Sequence, residues 1–212
     1  MRLHTFWRSS AAYRVRIALA LKGLPYETVS WHLGRGEQRS PAYVSVNPQG
    51  LVPMLEDGDL AIGQSLAIIE YLDKTHPDPP LLPGDARGRA IVRSMAEVVA
   101  CDLHPLNNLR VLNYLRSPLG HDQDAVDRWY HHWIAVGLSA LEGLARRYAA
   151  SERHLYGDRV TLADVVLVPQ LYNARRLACP LAEYPTLLAI DAHLKSLPEF
   201  AAALPERQPG AE

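Results

Sequence analysis

A proline-rich stretch at residues 77–84, PDPPLLPG, separates two parts of the sequence that have different patterns. Proline fixes φ and lacks a backbone N–H, so four prolines within seven residues can continue neither a helix nor a central strand. Strand and helix patterns alternate before this stretch, whereas only helical patterns follow it. We therefore place a linker at residues 77–86 and predict an α/β domain over residues 1–80 and an all-helical domain over residues 87–212.

The α/β domain is predicted from short apolar runs that alternate with one longer helical pattern. Asp57-Gly58 stands between two such runs, and this dipeptide favours a tight hairpin turn because it tolerates positive φ. The order of runs indicates a β-α-β unit followed by a hairpin and a helix. The segments are LHTFW (3–7), SAAYRVRIALALKG (10–23), YETVSW (26–31), a short helix or loop at SPAYVSV (40–46), the hairpin MLEDGDLAI (54–62) and the helix QSLAIIEYLDKTH (64–76).

The second domain is predicted to contain only helices. Pro105 and Pro169 lie inside two of them and are expected to kink them. The segment TLAD, Thr161 to Asp164, is typical of a capping arrangement, and we interpret it as structural. The predicted helices cover residues 87–115, 123–149, 161–178 and 186–196.

Composition and charge exclude several classes of partner. A chain of 212 residues with 48% hydrophobic residues can bury a core without disulfides or a structural metal. A formal net charge of −1 gives no general attraction to nucleic acid or to an anionic membrane, so we expect neither as a partner. Asp127 and His131 could share a helical face, but two ligands do not make a metal site, and we expect no metal.

The two cysteines, Cys101 and Cys179, are far apart and outside any C-x-x-C arrangement. This argues against a disulfide framework, a zinc ribbon and a dithiol redox enzyme, and it favours a reducing compartment. The N-terminal residues lack the apolar core of a signal peptide, and no apolar run approaches the roughly 20 residues that span a bilayer. We therefore expect a cytoplasmic protein.

The junction of the first strand and the first helix, Arg8-Ser9-Ser10-Ala11, has the residues of an anion site. The first N–H groups of a helix have no partners within the helix, and the helix dipole adds partial positive charge there. Thioredoxin-like folds place a reactive cysteine at this turn, but Ala11 and Ala12 carry no sulfur, so a thiolate would have to arrive on a small molecule such as glutathione. The alternative is that one serine caps the helix and Arg8 is solvated.

Four segments resemble the zeta class of glutathione transferases: RSSAAYRVRIALALKG, NPQGLVP, GQSLAIIEYL and TLADVVLVPQLYNARR. The resemblance covers nearly the whole chain. It implies the glutathione transferase fold, a thioredoxin-like domain followed by a helical bundle, in a homodimer with glutathione as cofactor. The chain most resembles the bacterial maleylpyruvate isomerases of this class, which convert a small dicarboxylate substrate, maleylpyruvate, to fumarylpyruvate. Maleylacetoacetate isomerase activity, general glutathione conjugation and a non-catalytic glutathione-binding module are the alternatives.

The resemblance also assigns roles to individual residues. It implies a cis-proline turn at Val52-Pro53 whose Val52 backbone pairs with glutathione, and a γ-glutamyl carboxylate bound at Gln64-Ser65. Without the resemblance, these positions are typical of a strand start and an ordinary N-cap. The other implied glutathione contacts are Ser9, Ser10, Ala11, Gln38 and, from the helical domain and in part across the dimer, Asp102, His104, Asn108, Leu109 and Arg110.

Catalysis on a cis diacid requires cations as well as a thiolate. Thiolate addition makes the double bond single, so the substrate can rotate before the sulfur leaves. The candidates for catalysis are Ser9, Ser10, Arg8, Arg110 and Arg176, and Arg176 matches a family position associated with the substrate carboxylate. Arg175 points about 100° away on the helix and is expected to be solvated. Many zeta-class sequences have cysteine where this chain has Ala11, so that cysteine cannot be required here, and Ser9 is preferred for positioning the sulfur.

Overall fold

The structure, a computed structural model, describes residues 1–211. Its contacts divide the chain into an N-terminal unit, residues 1–81 with residues 195–211, and a helical unit, residues 82–194. The elements in chain order are β1 (Arg2–Thr5), α1 (Ser10–Leu21), β2 (Glu27–Ser30), α2 (Pro41–Val44), β3 (Met54–Asp57), β4 (Leu60–Gly63), α3 (Ser65–Thr75), α4 (Ala86–Glu97), α5 (His104–Leu106), α6 (Leu109–Arg116), α7 (Gln123–Tyr148), α8 (Leu162–Arg176), α9 (Pro185–Lys195) and α10 (Pro198–Ala202).

The N-terminal unit is built on a four-stranded sheet in the order β2-β1-β3-β4. β1 pairs in parallel with β2 and antiparallel with β3, and β3 forms a hairpin with β4. The predicted β-α-β unit, hairpin and helix are confirmed. β1 is a central strand, and its residues 3–5 are all buried, so both faces of this strand are covered.

The last described residues differ from the predicted division of the chain. We placed them in the helical domain, but residues 195–211 belong to the N-terminal unit. There α10 contacts α1: the Tyr13 hydroxyl donates to the Phe200 carbonyl at 3.5 Å, and Arg16 Nε donates to the Ala203 carbonyl at 3.2 Å. The Phe200 side chain is fully buried, so this short helix covers apolar surface that α1 would otherwise expose.

The helix predicted over residues 87–115 is broken rather than kinked. After α4 the chain widens into a π-helical turn, Val98–Leu103, and α5 ends at Leu106. The Asn108 side chain then accepts a hydrogen bond from the Arg110 N–H at 3.1 Å and begins α6 as its N-cap. Asparagine is a favoured N-cap because its side chain satisfies an otherwise unpartnered helix N–H. By contrast, α8 continues through Pro169 without interruption.

Helix α7 approaches the π-helical turn closely at Gly137. A Cβ atom at Gly137 would lie 2.4 Å from Leu103 Cδ1, which is well inside van der Waals contact. Leu103 is itself only 2% exposed and has little room to move. Glycine is therefore required here for the close approach of α7 to the segment that carries Asp102 and His104.

The capping arrangement at the start of α8 is confirmed as a buried structural feature. Asp164 is fully buried, and its carboxylate accepts hydrogen bonds from the Thr161 N–H at 2.7 Å, the Thr161 hydroxyl at 2.8 Å and the Leu155 N–H at 2.7 Å. Burial raises the pKa of Asp164 to about 6, while these hydrogen bonds oppose that change. The carboxylate thus ties the loop before α8 to the first turn of the helix.

None of the helices within residues 1–211 has both the length and the apolarity needed to cross a membrane. In the same part of the chain, no three histidine, cysteine, aspartate or glutamate side chains lie together as metal ligands. Cys101 is exposed, Cys179 is buried, and neither forms a disulfide in the described chain.

Candidate functional site

The turn from β1 into α1 is closed by Ser9, the N-cap of the helix. The Ser9 hydroxyl oxygen accepts a hydrogen bond from the Ala12 N–H at 3.2 Å, which leaves its own O–H hydrogen to be donated to another acceptor. Ser9 and Ala11 are half-buried, whereas Ser10 is 4% exposed. Ser9 is therefore the more accessible of the two serines.

The electrostatics of this turn favour an anion. The first turn of α1 consists of serine, two alanines and tyrosine, so no acidic side chain neutralises the N-terminal partial charge of the helix. Arg8 is exposed, and its guanidinium lies over the Trp7 ring, 5.1 Å from the ring centroid. The turn thus combines backbone N–H groups, a hydroxyl and a cation, which is the chemistry of an anion site.

The buried guanidinium of Arg16 holds this turn in place from within the N-terminal unit. Arg16 is 1% exposed and donates to the Trp7 carbonyl at 2.9 Å, to the Thr5 hydroxyl at 3.3 Å and to the Phe6 carbonyl at 3.5 Å. These bonds satisfy the carbonyl groups at the end of β1 where the sheet no longer pairs them. Arg16 is therefore a support of the anion site rather than part of it.

A second part of the site precedes β3, where the peptide bond between Val52 and Pro53 is cis, as the resemblance implied. Val52 packs in a buried cluster with Phe6 and Trp7, the two residues that lead into the anion site. Within residues 1–211, the Val52 N–H and C=O make no hydrogen bond. An extended peptide could pair with these groups as an added strand pairs with a sheet edge.

The backbone just before Val52 is fixed by two side chains. The Asn47 amide donates to the Leu51 carbonyl at 2.7 Å, and the Tyr43 hydroxyl donates to the same oxygen. Gln38 lies beside this loop, because a Cβ at Gly50 would be 3.2 Å from the Gln38 carbonyl oxygen. Gln38 is 7% exposed, and its buried Oε1 has no hydrogen-bond partner in the described chain.

The N-terminus of α3 forms the third part. Its N-cap, Gln64, has a φ of 67°, a conformation that is strained for a residue with a side chain and that is concentrated at functional sites. Ser65 is buried, and its hydroxyl accepts a hydrogen bond from Arg14 Nη1 at 3.3 Å. The Gln64 amide donates to Gln49 Oε1 at 2.9 Å, which links this helix end to the loop before Val52.

The N-terminal unit thus brings its predicted residues together. Packing of Val52 on Phe6 and Trp7 joins the cis-proline turn to the anion site, and the Arg14–Ser65 hydrogen bond joins α1 to the start of α3. The predicted residues that this unit holds are Arg8, Ser9, Ser10, Ala11, Gln38, Val52, Pro53, Gln64 and Ser65.

The other predicted residues lie in the helical unit. Asn108 caps α6, and its amide nitrogen is 3.5 Å from His104 Nε2. Asp102 lies exposed on the π-helical turn, and Leu109 and Arg110 are exposed on the first turn of α6. These five residues share one short segment, whereas Arg176 is exposed on the last turn of α8.

Helix α7 borders the end of α8 that carries Arg176. Burial raises the pKa of the Tyr130 phenol well above its ordinary value, and the positive charge of Arg176 opposes this change. The preceding residue does not behave as we expected: Arg175 is not simply solvated but donates to the buried carboxylate of Asp191 on α9 at 2.6 Å. The two neighbouring arginines therefore have different roles, and Arg175 binds α9 through Asp191.

Sequence reasoning missed the residues that support the site. Arg14 and Arg16 were assigned no role, although two arginines within the apolar run of α1 are a recognisable signal, because a charge in a buried helix must find partners. The roles of Tyr43, Asn47 and Gln49 depend on hydrogen bonds within loops, and residue spacing alone does not predict these bonds.

Comparison with known proteins shows to which family this chain belongs. Residues 1–74 match the family model for the glutathione S-transferase N-terminal domain. A Vibrio cholerae protein named probable maleylacetoacetate isomerase is 49% identical over 211 residues, which cover 99% of this chain and 97% of that protein. A structure described as maleylpyruvate isomerase, a bacterial zeta-class glutathione S-transferase in its holo form, superposes with a TM-score of 0.97 at 46% identity and full coverage of both chains. The chain belongs to the zeta class of the glutathione transferases.

A further relative has been solved with ligands. The maleylacetoacetate isomerase of Anaeromyxobacter dehalogenans, with bound dicarboxyethyl glutathione and citrate in its active site, is 45% identical and superposes with a TM-score of 0.88. The comparison covers 100% of this chain and 93% of that one. The resemblance of the four sequence segments to the zeta class is thus confirmed over the whole length, and the fold is that of a glutathione transferase.

Proposed function

We propose that this chain is a glutathione-dependent cis–trans isomerase that converts maleylpyruvate to fumarylpyruvate. The observation that carries the proposal is the half-buried Ser9 hydroxyl, which keeps a hydrogen to donate at a helix N-terminus that itself provides no thiol. Relatives of similar length that are named maleylpyruvate and maleylacetoacetate isomerases support the reaction type.

The residues present fit glutathione. The tripeptide has a backbone that the Val52 N–H and C=O can pair with, and it has a γ-glutamyl carboxylate that suits the N-terminus of α3 at Gln64 and Ser65. Gln38, whose backbone carbonyl lies beside the Val52 loop, has a buried and unpartnered Oε1 that can accept a hydrogen bond. The Val52 backbone groups and Gln38 Oε1 lack the partner that such a ligand would supply.

Bound glutathione supplies a thiol nucleophile that makes the double bond of the substrate transiently single. A thiol with an ordinary pKa of about 8.5 is mostly protonated at neutral pH, and lowering that pKa by ~2 units requires roughly 2.7 kcal/mol. A hydrogen bond from the Ser9 hydroxyl to the charged sulfur contributes about 1.5–3 kcal/mol, and the α1 N-terminus adds about 0.3–1 kcal/mol. The combined contribution of Ser9 and the helix end, about 1.8–4 kcal/mol, therefore brackets the free energy that activation requires.

The substrate requires cations because it has two carboxylates and develops negative charge on its carbonyl oxygen during the reaction. We assign this role to Arg8, Arg110 and Arg176, whose guanidinium groups are exposed. Guanidinium forms bidentate pairs with carboxylates and stays charged at every physiological pH. A general conjugating transferase would instead need an apolar substrate site, so three cations favour a diacid. The bound citrate in the Anaeromyxobacter relative is consistent with this assignment.

We further propose that the protein is a cytoplasmic homodimer, as the resemblance implies. Neither cysteine of the described chain forms a disulfide, which is consistent with a reducing compartment. Asp102, His104, Asn108 and Leu109 are proposed to contact glutathione, in part across the dimer.

Turnover with less glutathione than substrate tests the proposed reaction. We expect complete conversion of maleylpyruvate while the total free thiol stays constant, because the nucleophile is released in every cycle. We also expect kcat/KM for maleylpyruvate to exceed that for maleylacetoacetate, which has a longer arm; the reverse order would establish the alternative isomerase. Loss of thiol equal to the substrate consumed would indicate a conjugating transferase, and glutathione binding without turnover would indicate a binding module.

A further inference from the structure

The end of α8 has an unusual residue in its terminating turn. The Ala178 N–H donates to the Arg175 carbonyl at 3.0 Å, and the Cys179 N–H donates to the Ala174 carbonyl at 2.9 Å, which together form a Schellman motif. The left-handed position of that motif is normally glycine, but here it is Ala178, with a φ of 52°. The helix therefore ends in a conformation that its own sequence disfavours, so contacts from elsewhere must help to hold it.

His131 on α7 provides such a contact. Its Nε2 is 2.9 Å from the carbonyl oxygen of Leu177, the residue between Arg176 and Ala178. A carbonyl oxygen only accepts hydrogen bonds, so His131 carries a hydrogen on Nε2 and donates it. Burial raises the pKa of the adjacent Tyr130, and the positive charge of Arg176 opposes this change. His131 thus contacts the turn that carries Arg176.

We propose that His131 is a positioning residue for Arg176 and, through it, for a carboxylate of the substrate. Last helical turns fray readily because their carbonyl groups lack partners within the helix. The bond from His131 anchors the carbonyl directly after Arg176, so it fixes the direction in which the exposed guanidinium leaves the helix. This inference rests on the proposed role of Arg176 in binding a diacid, and it explains a histidine that neither a metal site nor glutathione binding requires.

A double-mutant cycle between His131 and Arg176 tests the inference. In the wild-type background, we expect His131→Ala to raise KM for maleylpyruvate and Ki for succinate by about three- to tenfold, the net effect of one hydrogen bond, with kcat and the Kd of glutathione nearly unchanged. In the Arg176→Ala background, the same substitution should change Ki by less than about twofold, because its effect acts through the missing guanidinium. Equal effects in both backgrounds would overturn the proposal.

Two further variants separate positioning from general damage to the fold. His131→Gln keeps an N–H donor of similar reach and should restore most of the succinate affinity, whereas a fold-related loss would persist. His132→Ala is the matched control, because His132 is exposed on the next position of α7 and should leave Ki unchanged. Coupling in succinate binding without any isomerisation by the wild type would refute the proposed function and leave the role of His131 intact. Isomerisation by the wild type without this coupling would support the proposed function and refute the positioning role of His131.

Discussion

Replacing Arg176 with alanine should lower kcat/KM for maleylpyruvate by roughly 100-fold to 1,000-fold, because truncating one partner of a hydrogen-bonded charge pair costs about 2–5 kcal/mol. The Kd of glutathione should change by less than about twofold, because we assign to Arg176 a carboxylate of the substrate and no part of the tripeptide. Steady-state kinetics with maleylpyruvate, together with calorimetric titration of glutathione, measure the two quantities separately.

Two companion variants sharpen this result. Arg176→Lys keeps the charge but loses the two-pronged geometry, so its kcat/KM should lie between those of wild type and the alanine variant. Arg147→Ala removes an equally exposed arginine from the last turn of another helix, α7, where it stacks on Tyr148, and should leave the kinetics unchanged. Equal losses in substrate turnover and glutathione affinity in Arg176→Ala would place Arg176 outside the substrate site.

Replacing Asp164 with alanine should lower the free energy of unfolding by about 3–5 kcal/mol, the range expected when a buried hydrogen-bonded charge is removed from its partners. The substitution leaves three buried donors without an acceptor: the Leu155 N–H, the Thr161 N–H and the Thr161 hydroxyl. Urea unfolding at a pH above the raised pKa of Asp164, which is about 6, measures the effect with the wild-type carboxylate ionised.

Asp158→Ala is the control for this loss of stability. Asp158 lies nearby in sequence, but its side chain is 89% exposed and only pairs with Arg159 at 3.6 Å, so its removal should change the free energy of unfolding by less than about 0.5 kcal/mol. A small effect of Asp164→Ala, similar to that of Asp158→Ala, would contradict the structural role of the buried carboxylate.

The order of strands and helices could be predicted because local signals agree with the fold. The strands β1 to β4 and the helices α1 and α3 each have their expected apolar pattern, and the prolines of residues 77–84 mark the end of the sheet-containing part. The Ser9 N-cap of α1 was predictable for the same reason, since a serine cap and a helix start are both local features.

The departures from prediction arise from contacts between distant residues. The helix expected at residues 87–115 follows a continuous helical pattern, but the π-helical turn packs against Gly137 and the Asn108 cap starts a new helix, and neither is encoded by periodicity. Residues 195–211 belong with α1 because Arg16 and Tyr13 bind their carbonyl groups, which lie more than 180 residues away in sequence. Arg175 was expected in solvent because its partner, Asp191, lies on another helix.

We propose that the sulfur of glutathione binds as a thiolate beside Ser9, and the ultraviolet absorbance of the thiolate, titrated with pH in the glutathione complex, measures this. We expect bound glutathione to have a thiol pKa about 2 units below that of free glutathione, and Ser9→Ala to raise it by at least about 1 unit. Ser40→Ala removes the equivalent N-cap hydroxyl from α2 and should leave that pKa unchanged. An unaltered thiol pKa in Ser9→Ala, or an equal rise of that pKa in Ser40→Ala, would show that Ser9 does not stabilise the thiolate.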